Sequence, residues 1–185
     1  MAVTINASTT SGLVMTSDLS GTLSLQSNGV AVTVPAVAGT MMVSGNMPAF
    51  CYYGSASLSL SNATNTLMAT NTKEYDTANA FNTSTYQFNP QVAGYYFVEA
   101  CLGMGGSTGS NYIIQFYKNG SSYKIGSQLG NNPSGGTVVQ GTCLVYLNGS
   151  TDYVQAYAAQ GSGLTQGTGT GLIQYRFEGF LIRNA

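Results

Sequence analysis

The chain has 185 residues, a net charge of −1 and only 6% charged residues, although 43% of its residues are hydrophobic. It has no His and only five Lys and Arg residues, so it lacks the commonest general base and metal ligand and has too few cations for a nucleic-acid surface. The composition therefore disfavours a conventional enzyme and a nucleic-acid partner, and it favours a structural or binding protein.

The composition changes sharply near residue 50. Residues 1–49 contain no aromatic residue and one charged residue, Asp18, whereas every Tyr and Phe lies from Phe50 onward. We therefore predict two parts, an extended segment over 1–49 and a denser domain over 50–185.

The first part is predicted to be β-rich. Apolar residues alternate with polar ones at Val3 and Ile5, at Leu23 and Leu25, and from Val30 to Val34, with an Asn28-Gly29 turn signal between the last two runs. Such a segment has too few large apolar side chains for a core of its own. It is expected to anchor the protein, either by winding three copies together or by lying along another protein.

No secretion signal or membrane span is expected. The N-terminus has no basic region before an apolar core. The most apolar stretch, residues 30–43, is too short to span a bilayer and is interrupted by Pro35 and Gly39. We expect assembly in a cytoplasm and no membrane partner.

The second part shows many short alternating runs separated by Gly-, Ser- and Asn-rich loops, the pattern of an antiparallel sandwich or jelly roll. The predicted strands are Leu58–Leu60, Tyr86–Phe88, Tyr95–Leu102, Tyr112–Tyr117, Val138–Leu147, Tyr153–Ala158 and Ile173–Ile182. The fold class is therefore all-β, a jelly-roll sandwich preceded by a β-rich extension.

Five sequence pieces occur in the order found in one domain family. They are Ala49-Phe50, Tyr75-Asp76 with Phe88-x-Pro90-x-x-x-Gly94-x-Tyr96-Phe97, Tyr117-Lys118-Asn119-Gly120, Leu147-Asn148-Gly149 with Asp152-x-Val154, and Phe177-x-Gly179-Phe180-Leu181-Ile182. Together they resemble the globular head of complement subcomponent q, which shares the jelly roll of the tumour-necrosis-factor ligands. The resemblance implies a non-enzymatic homotrimer.

The first part resembles a different group of proteins. Thr16-Ser17-Asp18-x-Ser20-Gly21-x-Leu23-x-Leu25-Gln26 and Val34-Pro35-Ala36-Val37-Ala38-Gly39-Thr40 are similar to strand–turn units of tailed-bacteriophage fibre and structural proteins, whereas the collagen-like repeat that often precedes the complement-type head is missing. This resemblance implies a virion protein.

The few charged and thiol residues do not form a recognisable catalytic or metal motif. Glu74 and Asp76 are interpreted as solvated loop charges, with a calcium site and a catalytic pair as alternatives. Arg176 and Glu178 share one strand face by their spacing, and with Glu99 they are interpreted as an exposed or intersubunit pairing. The cysteines Cys51, Cys101 and Cys143 are expected to be buried thiols.

Tyrosines are the best candidates for a binding surface, because their flat rings and hydroxyl tips suit carbohydrates and proteins. The alternative is that most of them line the sandwich or a trimer axis. The candidate binding residues are Tyr52, Tyr53, Tyr112, Tyr123 and Tyr153, and Tyr157 shares their character.

The sequence thus predicts a non-enzymatic virion protein of a tailed phage without cofactor or metal, a homotrimeric fibre with an exposed knob that binds a host-surface glycan or protein. A capsid decoration protein whose first segment clamps shell subunits is the alternative. A secreted calcium-binding recognition module and a polysaccharide depolymerase are more distant ones.

Overall fold

Antiparallel strands make up most of the described chain. The computed structural model describes residues 23–27, 30–34, 45, 47–104, 111–130 and 137–185, and these residues contain no α-helix. No helix in this part of the chain is long and apolar enough to cross a membrane. The predictions at Val3 and Ile5, at residues 16–22, at Asn28-Gly29 and at residues 35–40 lie outside the described residues.

The strands are numbered in chain order. They are β1 (Leu23–Ser27), β2 (Val30–Val34), β3 (Ala49–Tyr53), β4 (Ser59–Leu60), β5 (Thr66–Leu67), β6 (Thr72–Asp76), β7 (Phe81–Asn82), β8 (Gln87–Phe88), β9 (Ala93–Met104), β10 (Tyr112–Lys118), β11 (Ser121–Leu129), β12 (Thr137–Asn148), β13 (Val154–Gln160), β14 (Gln166–Gly167) and β15 (Tyr175–Asn184).

The chain divides into two compact units, Met1–Met41 and Met42–Ala185. In the first unit β1 pairs with β2 in antiparallel register, with Leu25 opposite Val32, as the alternating pattern predicts. The boundary predicted after residue 49 stays a prediction.

Two sheets form the second unit. One has the order β12-β9-β15-β3-β6; the other has the order β11-β10-β13-β8-β7, with β5 also paired to β13, and a short β14-β4 ladder accompanies them. This is the predicted jelly-roll architecture. Each of the seven strands predicted in this part overlaps an observed strand, namely β4, β8, β9, β10, β12, β13 or β15.

The core lies between the two sheets, because alternate side chains of each strand turn inward. On β9, Tyr96, Val98 and Leu102 are fully buried, and Phe116 of β10 meets Phe177 of β15 across the core at 6.3 Å between ring centroids. An aromatic stack of Phe50, Phe81, Phe88 and Tyr52 fills one end, with ring centroids 4.1–5.5 Å apart.

Asn119-Gly120, from the third of the five sequence pieces, forms a tight hairpin turn. Both residues have positive φ, 52° and 77°, as the central pair of a type I′ turn requires. The turn joins β10 to β11. Gly94 lies inside β9, where a Cβ would meet the Arg183 carbonyl oxygen and would lie 2.6 Å from Leu181 Cδ1.

Candidate interaction surface

The outward side of the five-stranded sheet carries large apolar side chains. Strand register places Leu144 of β12, Phe97 of β9 and Phe180 of β15 in one row, and Tyr146 beside Tyr95 in the next. Phe180 is 50% exposed and Leu144 is 53% exposed. With Tyr75 of β6, these six residues are called here the apolar face.

Four of the five aromatic side chains of the apolar face pack in pairs within the chain. The ring centroids of Tyr95 and Tyr146 are 5.4 Å apart and those of Phe97 and Phe180 are 5.6 Å apart. Paired rings lose little rotamer freedom on binding, so this surface is preorganised.

An ionic cluster lies on the same side of the sheet, next to the apolar face. Arg176 Nη2 is 2.7 Å from Glu99 Oε1, and its Nε is 2.7 Å from Glu178 Oε1. Burial alone would lower the pKa of the Arg176 guanidinium, but the hydrogen bond to Glu178, with Glu99 alongside, raises it above the ordinary value. The prediction that Arg176 and Glu178 share one strand face is confirmed. The Arg176 guanidinium forms ion pairs with the carboxylates of both Glu99 and Glu178.

The cysteines are inert components of the scaffold. Cys51, Cys101 and Cys143 are free and buried, as the sequence predicts. Burial raises the pKa of all three thiols, so they stay protonated at neutral pH and are poor nucleophiles.

The predicted tyrosine residues do not form one site. Tyr52 and Tyr112 are buried, with 4% and 1% exposure, and Tyr52 stacks on Phe81; both therefore serve packing in this chain. Tyr53 and Tyr153 are half-buried and Tyr123 is exposed. Tyr53 belongs to the five-stranded sheet, Tyr123 belongs to the other sheet, and Tyr153 directly precedes β13 of that sheet. Their role in binding stays a prediction.

The interpretation of Glu74 and Asp76 as loop charges is wrong, because both residues lie in β6. Asp76 holds the segment that follows this strand. Its carboxylate accepts hydrogen bonds from the backbone N–H groups of Ala78, Ala80 and Phe81 at 3.3, 3.1 and 2.9 Å, and from the Tyr52 hydroxyl at 3.4 Å. Glu74 is exposed. Within the described residues, no group of three or more His, Cys, Asp or Glu side chains could hold a metal ion.

A cavity near the β7–β8 hairpin was missed by the sequence reasoning. Five of its lining residues carry carboxamide groups, namely Asn79, Asn82, Gln87, Asn89 and Gln91. The sequence carries a signal for it, because Gln87, Asn89 and Gln91 alternate through the segment that contains Phe88 and Pro90.

The fold is shared with solved structures. Eiger TNF from S. frugiperda has a TM-score of 0.56 and 8% identity over 76% of this chain and 95% of that one. Murine APRIL has a TM-score of 0.51 and 8% identity over 74% and 99%. The globular domain of zebrafish complement 1qA protein has a TM-score of 0.49 and 18% identity over 75% and 98%.

No family model and no curated protein sequence matches the chain. The likeness to the tumour-necrosis-factor structures establishes a jelly-roll fold of that type. At these identities it establishes the fold alone.

Proposed function

We propose that this protein is a homotrimeric, non-enzymatic knob that assembles through the apolar face and serves as an exposed binding and structural component of a tailed-phage virion. The observation that carries the trimer is the apolar face itself. Contiguous exposed apolar patches on one side of a sheet mark interfaces in soluble proteins.

Burial of this face would stabilise an assembly appreciably. Phe180, Leu144 and Tyr95 each expose about half of their surface. Full burial of a large apolar side chain is worth about 1.5–3 kcal/mol, so each half-exposed residue would contribute about 1 kcal/mol per copy. Several such residues from each of three copies offset the entropy lost on association.

The charge next to the apolar face is compatible with a second copy of the same chain as the partner. The cluster of Glu99, Arg176 and Glu178 is internally paired and carries a single net negative charge, so it neither demands a basic partner nor strongly repels a copy of itself. The sequence resemblance to the complement and tumour-necrosis-factor domains favours three copies over two, and closed symmetry leaves no face open.

The pairing of the carboxylates also favours a non-enzymatic role. A glycosidase needs two carboxyl groups that converge on a substrate. Glu99 and Glu178 converge on Arg176 instead, and the chain has no His to act as a base.

The virion context is supported by the first 49 residues. They resemble phage strand–turn units, and the β1–β2 pair they contain is too small to be stable alone. A segment of this kind would anchor the knob to other virion proteins during assembly in the host cytoplasm, with the knob outward toward a host-surface glycan or protein.

Sedimentation equilibrium tests the trimer. The wild-type chain is expected to sediment as three copies, and Phe97→Asp or Phe180→Asp is expected to yield a folded single copy, because each places a charge in the interface. The matched control is Ile125→Asp, which charges a side chain that is 61% exposed on β11 of the other sheet. A wild-type monomer, or a trimer insensitive to both substitutions, would contradict the proposal.

Imaging of particles with a labelled copy tests the virion role. A few to tens of copies at the tail or as head fibres are expected. Hundreds of copies over the shell would instead favour the decoration alternative, and absence from particles would overturn the virion role.

A further inference from the structure

The carboxamide-lined cavity has a composition unlike that of an ordinary apolar ligand pocket. It measures about 530 Å³, within the range of roughly 300–1,000 Å³ typical of small-molecule sites. Five of the described lining residues are Asn or Gln, and none is charged.

The hairpin register gathers these amides on one side. Phe81 pairs with Phe88, and Asn82 pairs with Gln87. Because the two Phe side chains are in the core, Asn82 and Gln87 point the other way, and Gln87 shares that face with Asn89 two residues on.

Much of the hydrogen-bonding capacity of these amides is unused by the protein. Asn82 accepts from the backbone N–H groups of Ser84 and Thr85 through Oδ1 only, which leaves its Nδ2 available. Among the described residues, the side chains of Asn79 and Gln87 have no hydrogen-bond partner. Donors and acceptors thus stand together in one cavity.

The rim of the cavity is held in place by the scaffold. The Asp76 carboxylate accepts hydrogen bonds from the backbone N–H groups of Ala78, Ala80 and Phe81. Asn89 donates to the Asp152 carbonyl oxygen at 2.8 Å and accepts from Gln91 Nε2 at 3.1 Å. A ligand would therefore meet a preorganised site, which lowers the entropic cost of binding.

The geometry points to a site for a neutral saccharide in this cavity. Vicinal sugar hydroxyls both donate and accept, as carboxamides do in one plane, and an uncharged lining does not select a charged ligand. A peptide is a poorer fit, because β7 has only two residues and Asp76 occupies the N–H groups that an added strand would use. This inference deepens the proposed binding role of the knob and rests on it.

Saturation-transfer NMR on the full chain tests the site. The probes are the neutral sugars lactose, maltose, cellobiose and chitobiose, with sialyllactose and a heparin disaccharide as charged counterparts. At least one neutral probe is expected to bind with a dissociation constant of about 1 mM or tighter, and added salt is expected to leave the affinity unchanged.

Two variants each remove one amide group without disturbing the backbone. Gln87→Met keeps the side-chain length, and Asn79→Gly keeps the positive φ of 50° that Gly adopts freely. Each is expected to weaken binding about tenfold. Gln128→Met removes an exposed amide from β11, at the opposite edge of the same sheet, and is expected to change nothing.

Three results would overturn the saccharide site: no neutral probe binds, only charged probes bind, or both cavity variants bind as the wild type does. The cavity is formed within one chain, and sedimentation of the same samples reports the trimer separately. A trimer without saccharide binding would refute this inference alone, and a saccharide-binding monomer would refute the trimer alone.

Discussion

Gly94 lies where two neighbouring strands come too close together to admit a side chain. It lies on β9 opposite Asn184 of β15, and a Cβ there would meet the Arg183 carbonyl oxygen and lie 2.6 Å from Leu181 Cδ1. The requirement is close backbone approach, so the neighbouring strand would have to move to admit any side chain.

Gly94→Val is expected to destabilise the second unit by about 3 kcal/mol or more, because the strand contact cannot relax without breaking the ladder. Soluble yield and thermal unfolding measure the effect. The control is Gly161→Val, since a Cβ at Gly161 has nothing within 4 Å. A Gly94→Val protein that is soluble and melts like the wild type would contradict the close-approach account.

At the level of single residues, the sequence could not tell which of two adjacent tyrosines faces out. Tyr95 is 48% exposed and Tyr96 is fully buried, although they are chemically identical neighbours. Strand register determines which of the two faces the core, and a one-residue shift would move every side chain of the strand to the opposite face of the sheet. This is why the predicted tyrosine set mixes core residues with surface residues, and why the apolar face was not predicted as such.

At the level of elements, the strands that alternate clearly could be predicted, including β12 at one sheet edge, and the edge strands β6 and β11 could not. β6 (TKEYD) and β11 (SSYKIGSQL) lie at the ends of their sheets, and their side chains are mostly exposed. These two edge strands show weak alternation because solvent lies on more than one side of them, and they carry polar residues that discourage further pairing.

Two turns that the sequence singled out separately are linked by Asp152. Its carboxylate lies 2.8 Å from Lys118 Nζ and accepts from Asn119 Nδ2 at 2.7 Å and from the Asn148 backbone N–H at 3.2 Å. The β10–β11 turn is thereby tied to the β12–β13 turn. The hydrogen bond from Lys118, followed by that from Asn119, lowers the pKa of the Asp152 carboxyl group.

Asp152→Asn is expected to lower the free energy of unfolding by about 1–2 kcal/mol at neutral pH, because an ionic hydrogen bond becomes a neutral one. Since the folded-state pKa lies below the unfolded value of about 3.9, the stabilisation is present above roughly pH 4 and is lost as the pH falls through the folded pKa. Denaturant unfolding across this pH range should show the wild-type and variant stabilities converging in acid. A difference that persists unchanged at low pH would mean that the charge contributes nothing.

At the level of the whole molecule, the division of the chain predicts that the knob is self-sufficient and the first segment is not. In the second unit, Pro48 is buried and its carbonyl accepts from the Leu181 N–H at 2.9 Å, while the Ala49 N–H donates to Thr77 Oγ1 at 2.9 Å. The unit thus includes residues just before Phe50. In the first unit, β1 and β2 form a two-stranded sheet, which is at best marginally stable by itself.

A fragment of residues 42–185 is therefore expected to fold, to sediment as three copies and to melt within a few degrees of the full chain, because the core and the apolar face both lie within it. A fragment of residues 1–49 is expected to show no cooperative unfolding by circular dichroism. If the longer fragment folded only as a monomer, trimer formation would depend on the first segment and not on the apolar face. If the shorter fragment folded as a monomer, its need for a partner surface would be refuted, and with it the physical basis of the proposed anchor.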